Sequence, residues 1–315
     1  MSYAQPEPIS LLQGKITGFS QVPEGGGSPL IVFLHGGAFD ARSTMIPGAS
    51  QVGLAAENGF PAFALNRPGY MESESLGADG VSDDGYFEAS AAVLDAAIAE
   101  LWQKHGADRR GVILHGCSIG GAVALTLAAR MSDQAHAGAA QWPLLGVAVV
   151  DIGYVAPDYI GAAWGSLPTG EFVTVEPAAL MSALPSSPPV WAAAQMPNDA
   201  PAPIDVPRNE LLEVAGGWTR NWRSVAERIR VPVQYRISEW DHLWVVTPQL
   251  VATMETALET ASPYVDAGIV RGASHAIHLG PLGASYNHQW LSFALLASAA
   301  AAAPERLTVR RDVTA

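Results

Sequence analysis

The sequence predicts an α/β protein with a doubly wound, mostly parallel sheet. Three observations predict it. Short strand-like runs recur at Leu30–Leu34, Phe60–Leu65, Val112–Leu114, Leu144–Val150, Val231–Ile237 and Tyr264–Val270, the first four of them unbroken by a polar or charged side chain. Strands that read this way are buried on both faces, as parallel strands are. Helical patterns separate the runs, which gives the strand–helix alternation of a parallel sheet. Only residues 155–228 break the rhythm; they hold ten prolines and several tryptophans, and they are too long for an ordinary connection.

Taken in order, the first run ends at His35-Gly36-Gly37. Residues 47–58 can form a helix, and the second run ends at Asn66-Arg67-Pro68-Gly69-Tyr70. Over 84–104, Phe87, Ala91, Leu94, Ile98 and Leu101 lie three or four apart, the spacing of a helix with one apolar face. The fourth run ends at Asp151, and helices are expected at 247–260 and 285–300. Residues 24–28, Glu-Gly-Gly-Gly-Ser, read as a flexible loop, and 304–315 as a solvated tail.

Composition narrows the function classes. Of 315 residues, 49% are hydrophobic and only 15% charged, enough apolar material for a sizeable core. The formal charge of −13 argues against nucleic acid and anionic membranes as partners. The apolar stretch 291–303 is shorter than the ~18–20 residues a membrane helix needs. The first residues show no basic and apolar leader pattern, and Cys117, the single cysteine, has no internal disulfide partner. A cytoplasmic protein is expected, and a homo-oligomer is left open.

The most informative stretch is Gly116-Cys117-Ser118-Ile119-Gly120-Gly121, set between the 112–114 run and a helical pattern from Ala122. A G-x-S-x-G between strand and helix is a nucleophile elbow. The turn is so tight that side chains two residues either side of the serine would collide, and Gly116, Gly120 and Gly121 remove them. The pattern alone also fits a plain strand-to-helix turn; the flanking elements and the remaining residues favour a nucleophile at Ser118.

A serine hydroxyl needs a base, and the base an orienting acid. His275 stands in Gly272-Ala273-Ser274-His275, directly after the last run. It is preferred to His278, which is expected to line the pocket, and to His35, His115 and the remaining histidines. For the acid, Asp241 in Glu239-Trp240-Asp241 ranks first, Glu239 second and Asp151 third. Ser118, Asp241, His275 is the chain order of nucleophile, acid and base in an elbow fold. Donors for a developing oxyanion would be the Ile119 N–H and the Gly37 N–H, with Ala38 next and also lining the pocket.

With these motifs in place, the chain resembles the α/β-hydrolase superfamily over roughly residues 28–300. The matching motifs are His35-Gly36-Gly37, Asn66–Tyr70, Gly116–Gly121, Glu239–Asp241 and Gly272–His278. Asn66 departs from the Asp that many relatives carry, at a position that serves structure. The resemblance implies a hydrolase core over 1–154 and 229–303, with a cap at 155–228 inserted between strands six and seven. It implies Ser118 as nucleophile, Asp241 as acid and His275 as base. It does not name a substrate.

The aromatic residues of the insertion, Tyr159, Trp164, Phe172, Trp191, Trp218 and Trp222, are either the core of a cap or the wall of a pocket. The expected lining is Ala38, Trp164, Trp218, Trp222, Trp240 and His278, facing a bulky, mostly neutral small molecule. Among the basic residues there, Arg208, Arg220 and Arg223 are too few for a polyphosphate-bearing substrate. No H-E-x-x-H, cysteine cluster or phosphate loop points to a metal or cofactor. The reading is a cofactor-free serine hydrolase of esters or lactones. Its rivals are a C–C bond hydrolase or cofactor-free oxygenase on the same fold, and a hydrolase-like ligand receptor.

Overall fold

Successive side chains on a strand point to opposite faces, so an unbroken apolar run needs a cover on both. The computed structural model, which describes residues 5–77, 85–176 and 203–302, supplies it. Strand β3 (Leu30–Leu34) sends Ile31 and Phe33 to one layer and Val32 and Leu34 to the other. Helix α1 (Gln51–Glu57) closes the first layer through Val52 and Ala55, and helix α8 (Gly283–Ala302) through Trp290, Phe293 and Ala294. Helices α2 (Tyr86–His105) and α3 (Ile119–His136) close the second, with Leu94, Ile98 and Leu101 of the expected α2 stripe all buried there.

The sheet has eight strands. Their spatial order is β1 (Glu7–Leu11), β2 (Ile16–Gln21), β4 (Ala62–Leu65), β3, β5 (Val112–Cys117), β6 (Leu144–Val150), β9 (Val233–Trp240) and β10 (Val265–Ser274). From β4 to β10 every pairing is parallel; only β2 runs against its neighbours. The doubly wound, mostly parallel sheet is therefore borne out.

The β1–β2 hairpin is absent from the sequence reading. Its strands are short, β1 carries Pro8, and their faces are only partly buried, so neither forms an apolar run. Gly18 allows the pairing with β4: a Cβ there would stand 2.2 Å from the Ala64 carbonyl oxygen.

Between β6 and β9 the chain leaves the sheet. It forms helix α4 (Asp158–Gly165), a two-stranded antiparallel hairpin of β7 (Phe172–Val175) and β8 (Ile204–Pro207), helix α5 (Arg208–Ala215) and helix α6 (Gly217–Ala226). Helix α7 (Pro248–Leu258) then leads to β10; Thr247 caps it by accepting from the Leu250 N–H at 3.2 Å, with Pro248 in its first turn. Trp191 and the 304–315 tail lie outside the described residues. Among the described residues no helix is long and apolar enough to cross a membrane.

Candidate active site

Ser118 sits where β5 turns into α3, with φ +53° and ψ −126°, a conformation an L-residue adopts only when its surroundings hold it there. Three backbone bonds hold it: Ser118 N–H to the Val150 carbonyl at 2.8 Å, and the Gly121 and Ala122 N–H groups to the Ser118 carbonyl at 2.7 and 3.3 Å. The glycines are needed for the reason the spacing suggested. A Cβ on Gly116 would stand 2.4 Å from the Gly120 oxygen, and one on Gly120 2.3 Å from the His35 oxygen.

His275 follows β10 and joins three strand ends. Its Nε2 lies 3.0 Å from Ser118 Oγ, and its Nδ1 lies 2.8 Å from Asp241 Oδ2. This geometry has Nδ1–H donating to the carboxylate and Nε2 accepting from the hydroxyl. All three side chains are buried. Burial pulls the imidazole pKa down, but the Asp241 charge and hydrogen bond, with the Asp151 charge behind them, outweigh it and leave it raised to about 8. The other Asp241 oxygen accepts from the Leu243 N–H at 2.9 Å, which fixes the carboxylate.

The two alternative acids are engaged elsewhere. Glu239 accepts from Arg271 Nη1 at 2.5 Å and the Gly272 N–H at 2.8 Å. Asp151 accepts from Ser238 N–H at 2.9 Å, Ser238 Oγ at 2.7 Å and Ile277 N–H at 3.1 Å. It thereby fastens the ends of β6 and β9 to the loop that carries His275. Burial raises the Asp151 pKa against the pull of the His275 charge.

The loop after β3 lies against the elbow. A Cβ on Gly36 would stand 3.4 Å from Ser118 Cβ, and one on Gly37 2.7 Å from Ile119 Cδ1. Ala38 holds φ +59°. Ile119 is the first residue of α3, so its N–H has no carbonyl a turn back to meet. His35 donates from Nδ1 to the Gly36 carbonyl at 2.8 Å and accepts the Arg67 N–H at Nε2, 3.2 Å away. Burial, then the Arg67 charge, holds its pKa well below the usual histidine range. It is a neutral structural ring. So is His115, whose Nε2 meets the Tyr286 hydroxyl at 2.8 Å and whose pKa burial pushes down to about 3.

The alpha/beta hydrolase family model matches residues 31–284. This chain belongs to that family. Solved structures agree on the fold. A monoacylglycerol lipase from Paleococcus ferrophilus is 15% identical, with a TM-score of 0.61 over 93% of this chain and 100% of that one. An esterase from M. tuberculosis is 19% identical, with a TM-score of 0.55 over 90% of each chain. An epoxide hydrolase from Vigna radiata is 15% identical, with a TM-score of 0.56 over 92% of this chain and 98% of that one. Comparison with curated protein sequences found no match. Hydrolytic chemistry is what the family and these neighbours support; they differ in the bond they cleave.

In this family member the site opens into a cavity of about 240 Å³. Its floor is the core: Gly36, Gly37, Ala38, Ser118, Ile119, His275 and His278. Its roof is the inserted segment: Ile160 and Trp164 of α4, Val175 and Val206 of the hairpin, and Leu211 and Val214 of α5. None of the described lining residues is Lys, Arg, Asp or Glu. Ala38, Trp164 and His278 line it as expected. His278 also lies with Nδ1 3.7 Å from Cys117 Sγ, its pKa lowered to about 4 by burial and then by the His275 charge.

Three expected lining residues do not reach the cavity. Trp218 is buried and donates from Nε1 to the Gly153 carbonyl at 2.7 Å. Trp222 stacks on Tyr154 with centroids 4.0 Å apart. Trp240 lies at the end of β9, 46% exposed. The reason is periodicity: Trp218, Trp222 and Val225 form one stripe of α6, which faces the core and not the cavity. The roof residues the sequence reading missed, Ile160, Val175, Val206, Leu211 and Val214, are ordinary apolar side chains with no signal to set them apart. Among the described residues, no three His, Cys, Asp or Glu side chains gather as metal ligands would.

Proposed function

We propose that the chain is a serine hydrolase that cleaves a carboxylic ester or lactone through an acyl-enzyme. One observation carries this reading: the His275 ring bridges Ser118 Oγ at 3.0 Å and Asp241 Oδ2 at 2.8 Å, at the floor of an apolar cavity. In the proposed reaction Ser118 Oγ attacks the carbonyl carbon as His275 Nε2 takes its proton. Asp241 stabilises the imidazolium that forms. The oxyanion is met by the Ile119 N–H and an N–H of the 37–38 loop. His275 returns the proton to the leaving alkoxide; water then repeats the sequence and frees Ser118. For a lactone the leaving alkoxide stays tethered to the acyl group.

The wall favours an uncharged substrate. No Lys or Arg lines the described wall to offset a carboxylate or phosphate, and burying a lone charge among its apolar side chains would be costly. The arginines of the insertion do not change this. Arg208 donates to the Pro168 carbonyl at 2.8 Å, and the Arg223 guanidinium lies 4.9 Å from the Trp222 ring centroid.

A fluorophosphonate probe followed by intact-mass and peptide analysis tests the nucleophile. One adduct on Ser118, absent in Ser118→Ala, is the expected result. An unlabelled Ser118, or a Ser118→Ala variant that keeps more than about a tenth of its turnover of apolar esters, would sink the proposal. Persistence of the alanine variant on an aromatic substrate with oxygen would point instead to histidine-driven oxygenation.

A further inference from the structure

Arg67 and Glu210 form an ion pair with both side chains at 0% exposure, and one partner belongs to the core while the other lies on α5. Glu210 Oε1 accepts from Arg67 Nη2 at 3.1 Å and from the Tyr70 hydroxyl, and Oε2 accepts from Arg67 Nη1. Arg67 reaches His35 twice: its side-chain Nε–H donates to the His35 carbonyl at 3.0 Å, and its backbone N–H donates to His35 Nε2 at 3.2 Å. The His35 ring then donates to the Gly36 carbonyl. Gly36 C=O and Gly37 N–H belong to one planar trans peptide, so fixing the oxygen fixes where the N–H points. Gly37 N–H is one of the proposed oxyanion donors. Meanwhile the neighbours of Glu210 on α5, Leu211 and Val214, are cavity wall. A second buried carboxylate on the helix, Glu213, accepts the Phe87 N–H at the start of α2, at 2.7 Å.

From this chain of contacts we propose that Glu210 is a positioning residue: by clasping Arg67 it couples the seating of the substrate-facing helix α5 to the orientation of the oxyanion loop at residues 36–38. The proposal rests on the ester-hydrolase reading for its kinetic arm only. A plain anchor for α5 would need no more than a partner for one charge. Here the guanidinium that receives Glu210 also holds the carbonyl of the residue preceding the loop, while the backbone N–H of the same arginine holds that residue's ring. An empty or displaced roof would leave Arg67 without its counter-charge and the His35 carbonyl without a fixed guanidinium donor.

The test uses the full chain, with kinetics on an uncharged ester, thermal melting and hydrogen exchange. Glu210→Gln is expected to lower kcat by about 10²-fold, as misplacement of a reacting group does, with KM within about threefold. The amides of residues 36–38 and of α5 should exchange faster together. Removing both charges in Arg67→Met/Glu210→Leu should restore much of the melting temperature, because a buried pair can be replaced by apolar side chains. Its kcat should stay low, because the His35 carbonyl has lost its guanidinium donor. A double variant that regains kcat along with its melting temperature would overturn the proposal, as would a Glu210→Gln loss confined to KM. If the wild-type chain turns over no ester, hydrolysis is the reading that fails; the exchange arm still decides this one, and unchanged protection at 36–38 in Glu210→Gln rejects it.

Discussion

The floor of the cavity and its roof are built in opposite ways. On the floor Ala38, Ser118 and Ala276, and just behind it Asp151, all hold positive φ, from +53° to +61°. In the described part of the inserted segment only Gly170 does. Each such non-glycine position costs on the order of 1–3 kcal/mol. Of these two regions, the strain lies in the one where individual atoms must meet: the hydroxyl, the loop amides and the imidazole. The roof is regular helix and hairpin. It asks only for apolar surface at about the right distance, which many sequences provide. Atoms that react need one geometry, whereas walls need a volume.

The sharpest way to break this contrast is at the elbow. Ser118→Ala should lower kcat by roughly 10³-fold or more while leaving the melting temperature close to wild type, since the turn is held by backbone bonds and glycines. A large loss of melting temperature would show that the hydroxyl itself supports the fold. Gly120→Ala is the complement. Its Cβ would stand 2.3 Å from the His35 carbonyl oxygen, so folding should suffer before chemistry does, and a chemical melt should show destabilisation by more than about 1 kcal/mol.

Next in size is Asp241→Asn, expected to cost about 10²- to 10⁴-fold in kcat/KM. It should also move the pH profile. His275 accepts a proton only when neutral, so with its pKa near 8 kcat/KM should fall as pH drops below that value. The Asp241 charge raises that pKa, and removing it should shift the acid limb to lower pH even as the plateau falls. An unmoved limb would mean that another group titrates.

On the roof the effects should be smaller and selective. Leu211→Ala should shift preference toward longer apolar acyl groups by about tenfold in kcat/KM, read across an ester series, with kcat on short esters little changed. The smallest effect is expected from Trp222→Phe: its ring stacks on Tyr154 away from the cavity, so a change in ester preference would place it back at the substrate.

The same contrast explains what could be read from the sequence. Ser118 and His275 were legible because their neighbours are forced: glycines at fixed spacing, or a position just beyond a buried run. Asp241 was legible only as first among three, because Glu239 and Asp151 also follow strands and only the folded chain shows which carboxylate faces the imidazole. Trp218, Trp222 and Trp240 were misplaced because aromatic content says nothing about which face of a helix, or which end of a strand, meets the cavity. Glu210 left no trace, since its partner Arg67 lies 143 residues away. The β1–β2 hairpin was missed because it lies at the sheet edge, only partly buried, and so carries no apolar run.

The order of the strands also bears on how the protein is made. Ser118 is 157 residues ahead of His275, and the base arrives only with β10, the edge strand of the sheet. A chain emerging from the ribosome can complete β3, β5 and α3 long before it has a base. On the proposed mechanism the hydroxyl has no base to take its proton until residue 275 has been synthesised and has docked beside β9. Fluorophosphonate labelling of ribosome-stalled chains should therefore stay at background at a length of 260 residues and appear only once α8 is free to pack.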